Sequence, residues 1–366
     1  MRASTPRSPV HLSPPISPPI SLPLSLCLSA ALLFGASTSA IAAPPSTEPP
    51  AAASGTTTAA STATATSASS IVVRHDFADV DGHRVFYREA GPADAPAILL
   101  LHGFPTSSHL FSALIPKLAQ RYRVIAPDIP GYGLTEVKAG ASFGYTFDEL
   151  TEVIARFAEV RQLKRYALYV FDIGAPIGWR LAVAHPEQIT AIVSQNGNAY
   201  EEGLSPGWAP MRKYWADPSP ANREPLRGLF KRETTKWQYL EGVKPPDRVA
   251  PEHYLLDQSF LDRPGQEDIQ LAVLLDYRSN LKQYPALHDY FRRHQPPLLA
   301  IWGANDPFFL PAGAKAFQKD LPRAEVHLIE GAGHFALVSH GDEVARRMLD
   351  FLDRQVPRPS PGPSPR

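Results

Sequence analysis

Read for its hydrophobic positions, the chain from about Ile71 onward falls into short apolar runs separated by amphipathic ones. The β-rich runs are Arg84 to Glu89, Ala97 to Leu101, Arg123 to Pro127, Tyr166 to Phe171, Ile189 to Gln195, Leu298 to Trp302 and Glu325 to Ile329. Several are continuously apolar, the pattern of strands buried on both faces of a parallel sheet. Between them the period becomes helical. Thr146-Phe147-Asp148-Glu149 has the order of a capping box, and Leu150, Val153, Ile154 and Phe157 then share one face of the helix it would start. Such alternation predicts an α/β fold with an open, mostly parallel sheet flanked by helices, whose site lies beyond the carboxyl ends of the strands. From about Asn198 to Gln295 the alternation stops, and the segment is rich in Trp, Tyr, Pro and charge. It predicts a helical insertion that covers the site and shapes its substrate.

A length of 366 residues suits one large core carrying such an insertion. The formal net charge is zero, which leaves no basic excess to hold nucleic acid or an anionic membrane. Small neutral molecules are the expected partners. Residues 1–42 read as a secretory signal, with Arg2 and Arg7 at a basic start, Leu22 to Phe34 as the apolar stretch and Ala40-Ile41-Ala42 as the cleavage motif. The stretch is short for a membrane span and contains Pro23. The only cysteine, Cys27, lies within it and follows Leu26, where a lipid-anchored signal needs a small residue. Cleavage would therefore release a cysteine-free chain to the periplasm or the medium, without disulfides, thiolate catalysis or a membrane anchor. Residues 43–70 are an Ala/Ser/Thr/Pro tract that reads as a disordered linker, and the Pro-rich residues 357–366 read as a disordered tail.

Four segments carry candidate chemistry. Tyr169-Val170-Phe171-Asp172-Ile173-Gly174-Ala175-Pro176-Ile177-Gly178 runs from an apolar strand into small residues, with a proline suited to a helix's first turn. That is the pattern of a nucleophile elbow, with Asp172 where the nucleophile stands. A carboxylate attacks saturated carbon to form an ester, whereas its attack on an ordinary ester would give only an anhydride, so Asp172 favours displacement at an sp³ carbon. An Asp capping the following helix is the plainer alternative. Leu100-Leu101-His102-Gly103-Phe104-Pro105 ends another strand in a Gly turn, with a proline open to a cis bond. In such a fold the N–H groups of Phe104 and Ile173 can form an oxyanion hole, while His102 reads as a structural hydrogen-bonding residue. Asp306 in Trp302-Gly303-Ala304-Asn305-Asp306-Pro307 and His334 in Gly331-Ala332-Gly333-His334-Phe335 then supply an acid and a base, in the order nucleophile, acid, histidine. Twelve histidines include no HExxH pairing, and no phosphate-binding Gly loop is followed by Lys, so neither a metal nor a cofactor is expected.

Across about Ile71 to Leu352, these four segments resemble the epoxide hydrolase and haloalkane dehalogenase branch of the α/β-hydrolase superfamily. The resemblance implies an α/β-hydrolase fold with a core of residues 71–204 and 294–356 and a helical cap of 205–293. It makes Asp172 the nucleophile, His334 the base that activates water and Asp306 the residue orienting it. Epoxide opening also needs an acid for the alkoxide. Asp276-Tyr277-Arg278 resembles the cap segment bearing one such tyrosine, which makes Tyr277 the first candidate and Tyr239 the second. Trp237 and Pro105 are candidate substrate contacts. The family's dehalogenases typically carry a halide-binding Trp after the nucleophile, and many of its epoxide hydrolases carry Trp there too; Ile173 holds that position here, so the chain departs from both patterns, and a cap tryptophan such as Trp237 could supply one halide donor. The expectation is an epoxide hydrolase using a small hydrophobic substrate and water, with haloalkane dehalogenation as the alternative. A non-catalytic fold that binds a hydrophobic ligand would have no need of a base beside Asp172.

Overall fold

The computed structural model describes residues 71–356, so the expected signal, linker and tail lie outside the described residues. Eight strands form one sheet: β1 (Arg74–Val80), β2 (His83–Ala90), β3 (Ala97–Leu101), β4 (Arg123–Pro127), β5 (Tyr166–Phe171), β6 (Ile189–Gln195), β7 (Leu298–Gly303) and β8 (Glu325–Ile329). Their spatial order is β1-β2-β4-β3-β5-β6-β7-β8. β2 is antiparallel to both β1 and β4, and every other pairing is parallel.

Successive side chains of a strand point to opposite faces, so a continuously apolar strand feeds two cores. Leu99, Leu101, Leu168, Val170 and Ile192 face the core under the helices Phe147–Val160, Gly174–Ala184 and Arg278–His294. Ile98, Leu100, Ala167, Tyr169 and Val193 face the other, under Gly341–Gln355. Phe147–Val160 begins where its sequence indicates: the Thr146 hydroxyl accepts from the Glu149 N–H, and the Glu149 carboxylate accepts from the Thr146 N–H.

Between β6 and β7 the chain is helical, and its helices Ala209–Ala216, Arg232–Leu240, Pro251–Leu261 and Gln266–Asp276 build the cap. Arg278–His294 belongs to cap and core together. Its start continues from the cap, whereas Leu287, Tyr290 and Phe291 near its end pack with Trp179 and Phe317 in the sheet-side core. The cap boundary expected at residue 293 thus falls at the end of a helix whose second half is core.

Candidate active site

Asp172 follows β5 directly and has φ of +46°, a left-handed conformation that L residues adopt only under constraint. The turn lifts its carboxyl above the carboxyl ends of the strands and starts the helix Gly174–Ala184. Two glycines make the approach possible: a Cβ on Gly103 would lie 2.4 Å from the Asp172 Cβ, and one on Gly174 would lie 2.4 Å from the His102 carbonyl oxygen. His102 is a strut between two loops. Its Nε2 accepts from the Ile129 N–H at 2.9 Å, which leaves Nδ1 to donate to the Gly103 carbonyl at 3.1 Å. Burial lowers its pKa and keeps it neutral in that role.

The Phe104 N–H donates to Asp172 Oδ1 at 2.7 Å, and the Ile173 N–H supports the same carboxylate. The two N–H groups expected to form an oxyanion hole are therefore both turned to the Asp172 carboxylate. His334 Nε2 lies 3.6 Å from Oδ2, and its Nδ1 lies 2.9 Å from Asp306 Oδ2. Asp306 is held in turn: Oδ1 accepts from the N–H groups of Phe308 and Phe309 at 2.7 and 3.1 Å, and Oδ2 accepts from Asn196 Nδ2 at 2.6 Å.

Asn196 was not singled out from the sequence. It sits just past β6 with φ of +46°, and its Oδ1 accepts from the Gly303 N–H at 3.1 Å, tying β6, β7 and the acid loop together. Its position immediately after a strand, followed by Gly197, is the only signal the sequence carries for it. Burial raises the Asp172 pKa, although His334 and the two N–H donors partly oppose it. Burial works against charge on His334, but Asp306 and Asp172 outweigh it and leave the imidazole pKa raised.

A pocket opens over these groups, lined by Phe104, Ile173, Trp208, Leu274 and Phe308 among its apolar residues and by Asp172, His334, Tyr277 and Gln238 among its polar ones. Tyr277 stands at the break between the helices Gln266–Asp276 and Arg278–His294. Its ring is stacked on Trp215 and packed against Trp208 and Phe147. Its neighbours are tied to the core: Asp276 accepts from the Phe147 N–H, and Arg180 of the elbow helix donates to Ser279 and Asn280. Its hydroxyl makes no hydrogen bond with the described residues. Burial raises its pKa well above the ordinary phenol value, with Tyr284 and Asp172 adding to the effect, so the group keeps its proton.

Tyr239, Trp237 and Pro105 are not brought to the pocket lining. Neighbours on a helix diverge by about 100°, so Trp237, Gln238 and Tyr239 cannot share a face, and it is Gln238 that turns inward. The Tyr239 hydroxyl donates to the buried Asp257, and its ring stacks on Phe335 at 3.8 Å. Trp237 is 43% exposed and meets only the edge of Phe308 among aromatic neighbours. Pro105 follows a cis bond from Phe104. Among the described residues, no three His, Cys, Asp or Glu side chains gather as a metal site.

Residues 96–341 match the model of the alpha/beta hydrolase fold family. The chain is 42% identical over 296 residues to the uncharacterized hydrolase YNR064C of Saccharomyces cerevisiae, covering 78% of this chain and 99% of that protein. It is 30% identical over 276 residues to a haloalkane dehalogenase of Mycobacterium marinum, covering 73% and 88% of the two chains. With epoxide hydrolase 2 of Caenorhabditis elegans it shares 27% identity over 301 residues, 78% of this chain and 81% of the relative.

Proposed function

The chain belongs to the alpha/beta hydrolase fold family, and from that premise we propose that it opens epoxides through an ester formed on Asp172. In the first step Asp172 Oδ2 attacks a ring carbon, the C–O bond breaks, and the ring oxygen takes the proton of Tyr277. Water then attacks the ester carbonyl carbon while His334 Nε2 removes its proton. The Phe104 N–H, which already holds Oδ1, stabilises the oxyanion together with the Ile173 N–H that supports the same carboxylate. Collapse releases a diol and restores the carboxylate, and the proton on His334 returns to the Tyr277 phenolate through solvent.

The observation that carries this reading is the Tyr277 hydroxyl, which lines the pocket beside Asp172, keeps its proton and has no hydrogen-bond partner among the described residues. An epoxide oxygen needs such a donor as its charge develops. Haloalkane dehalogenation is the second reading, favoured by the likeness to the M. marinum enzyme. Halide release needs N–H donors, and here the indoles near the pocket are committed: Trp208 Nε1 donates to the Phe308 carbonyl at 3.0 Å and Trp215 Nε1 to the Leu274 carbonyl at 2.8 Å. The two readings separate on purified protein given matched terminal epoxides and haloalkanes, with diol and halide release followed in parallel. Diol formation without halide release is expected; halide release alone would reverse the assignment.

A further inference from the structure

Gln238 is the one polar group of the pocket that the proposed reaction does not use. It belongs to the cap helix Arg232–Leu240, is buried, and lies in a lining otherwise made of apolar residues and the reacting groups. Among the described residues its side chain makes one hydrogen bond, from Nε2 to the Leu229 carbonyl at 3.4 Å, and Oε1 accepts none. Oε1 is not among the buried atoms left unpartnered, so it is open to the pocket, where it can take a hydrogen bond from whatever fills that space. The orientation of the amide decides which kind of partner. Turning it over would set Oε1 against the Leu229 carbonyl oxygen, two acceptors facing each other, so Nε2 stays on Leu229 and the pocket meets the acceptor.

An acceptor cannot serve the ring oxygen of an epoxide, which itself only accepts. We infer that Gln238 is a specificity residue whose amide oxygen takes a hydrogen bond from a hydroxyl or N–H group carried by the substrate away from the ring. This rests on the epoxide reading and names its substrate class: epoxides with an apolar body and one hydrogen-bond donor. The other lining groups fit the same description, since Trp208, Met211, Leu229 and Leu274 offer the body only apolar contact.

The test uses three terminal epoxides at several chain lengths: an alkyl epoxide, the same chain ending in a hydroxyl, and the methyl ether of that hydroxyl. The ether keeps the oxygen but loses the donor. For the wild type, kcat/KM at the best chain length should favour the hydroxyl compound over both others by about tenfold or more, because a site built for a hydroxyl leaves its own polar group unpaired with the analogue. Gln238→Met keeps the side chain's length and removes the acceptor; it should lower kcat/KM for the hydroxyl compound by about tenfold relative to the alkyl and ether compounds and so abolish the preference.

A wild type that opens all three without preference overturns the inference and leaves the epoxide reading standing. A wild type that opens none overturns both. If Gln238→Met slows all three equally, the amide instead receives the hydroxyl formed from the ring, and the specificity role is wrong. Should the variant fail to fold, the wild-type comparison of hydroxyl with methyl ether decides alone.

Discussion

His334 Nε2 stands 3.6 Å from Asp172 Oδ2, beyond hydrogen-bond reach, while its Nδ1 is held at 2.9 Å by Asp306. A serine nucleophile would need its proton taken by the histidine and would sit in contact with it. An attacking carboxylate, as proposed for Asp172, needs no such help. The separation suits a base that acts on a water molecule at the ester carbon after the nucleophile has already reacted, and the acid step and the base step thereby fall to different residues.

The acid limb of the second step should belong to His334. Its pKa is raised above the ordinary value near 6.5, so the neutral base is lost as pH falls through that raised value. Asp306→Asn removes the carboxylate that does most to raise it and leaves burial, which lowers it. Ester hydrolysis followed against pH should show the limb moving to lower pH, with a plateau reduced on the order of a thousandfold because the imidazole loses its anchor. A limb that stays in place would assign it to another group.

Tyr277→Phe removes one donor and almost no volume from a pocket wall packed against Trp208, Trp215 and Phe147. Pre-steady-state measurements on an epoxide should show ring opening slowed by roughly a hundredfold, with melting temperature close to that of the wild type. An unchanged opening rate would move the acid role to another group.

Tyr239→Phe should behave in the opposite way. Burial pushes the Asp257 carboxyl up to about 8, and the Tyr239 hydroxyl is its one hydrogen-bond donor among the described residues. Losing that donor should cost about 1–3 kcal/mol and lower the melting temperature by several degrees, as followed by calorimetry, with kcat little changed. A large fall in kcat at full stability would return Tyr239 to the chemistry.

Much of this was legible in the sequence because buried parallel strands are written as unbroken apolar runs. β3, β4, β5, β6 and β8 begin and end where those runs do. β1 was not legible: it is an edge strand, Arg-His-Asp-Phe-Ala-Asp-Val, paired on one side only and largely exposed at its start, so its polar residues hide its period. Asp172, Asp306 and His334 stood out because each follows a strand in a loop of small residues. Asn196 and Gln238 did not. Their roles depend on what a left-handed turn after β6 touches and on which way one helix is rotated against the core, and both are set by packing between segments far apart in the chain. The same rotation leaves Trp237 and Tyr239 outside the pocket.

The ester on Asp172 is the centre of the account, and His334→Gln isolates it. The variant keeps the nucleophile, its N–H donors and Tyr277 but lacks the base for the second step, so it should react once with an epoxide and stop. Intact-mass spectrometry should show the protein heavier by the whole substrate, since ring opening expels nothing, and peptide mapping should find the addition on Asp172. An Asp172→Ala control should stay at its own mass. If the wild type consumes an epoxide while His334→Gln accumulates no adduct at Asp172, the covalent mechanism is contradicted.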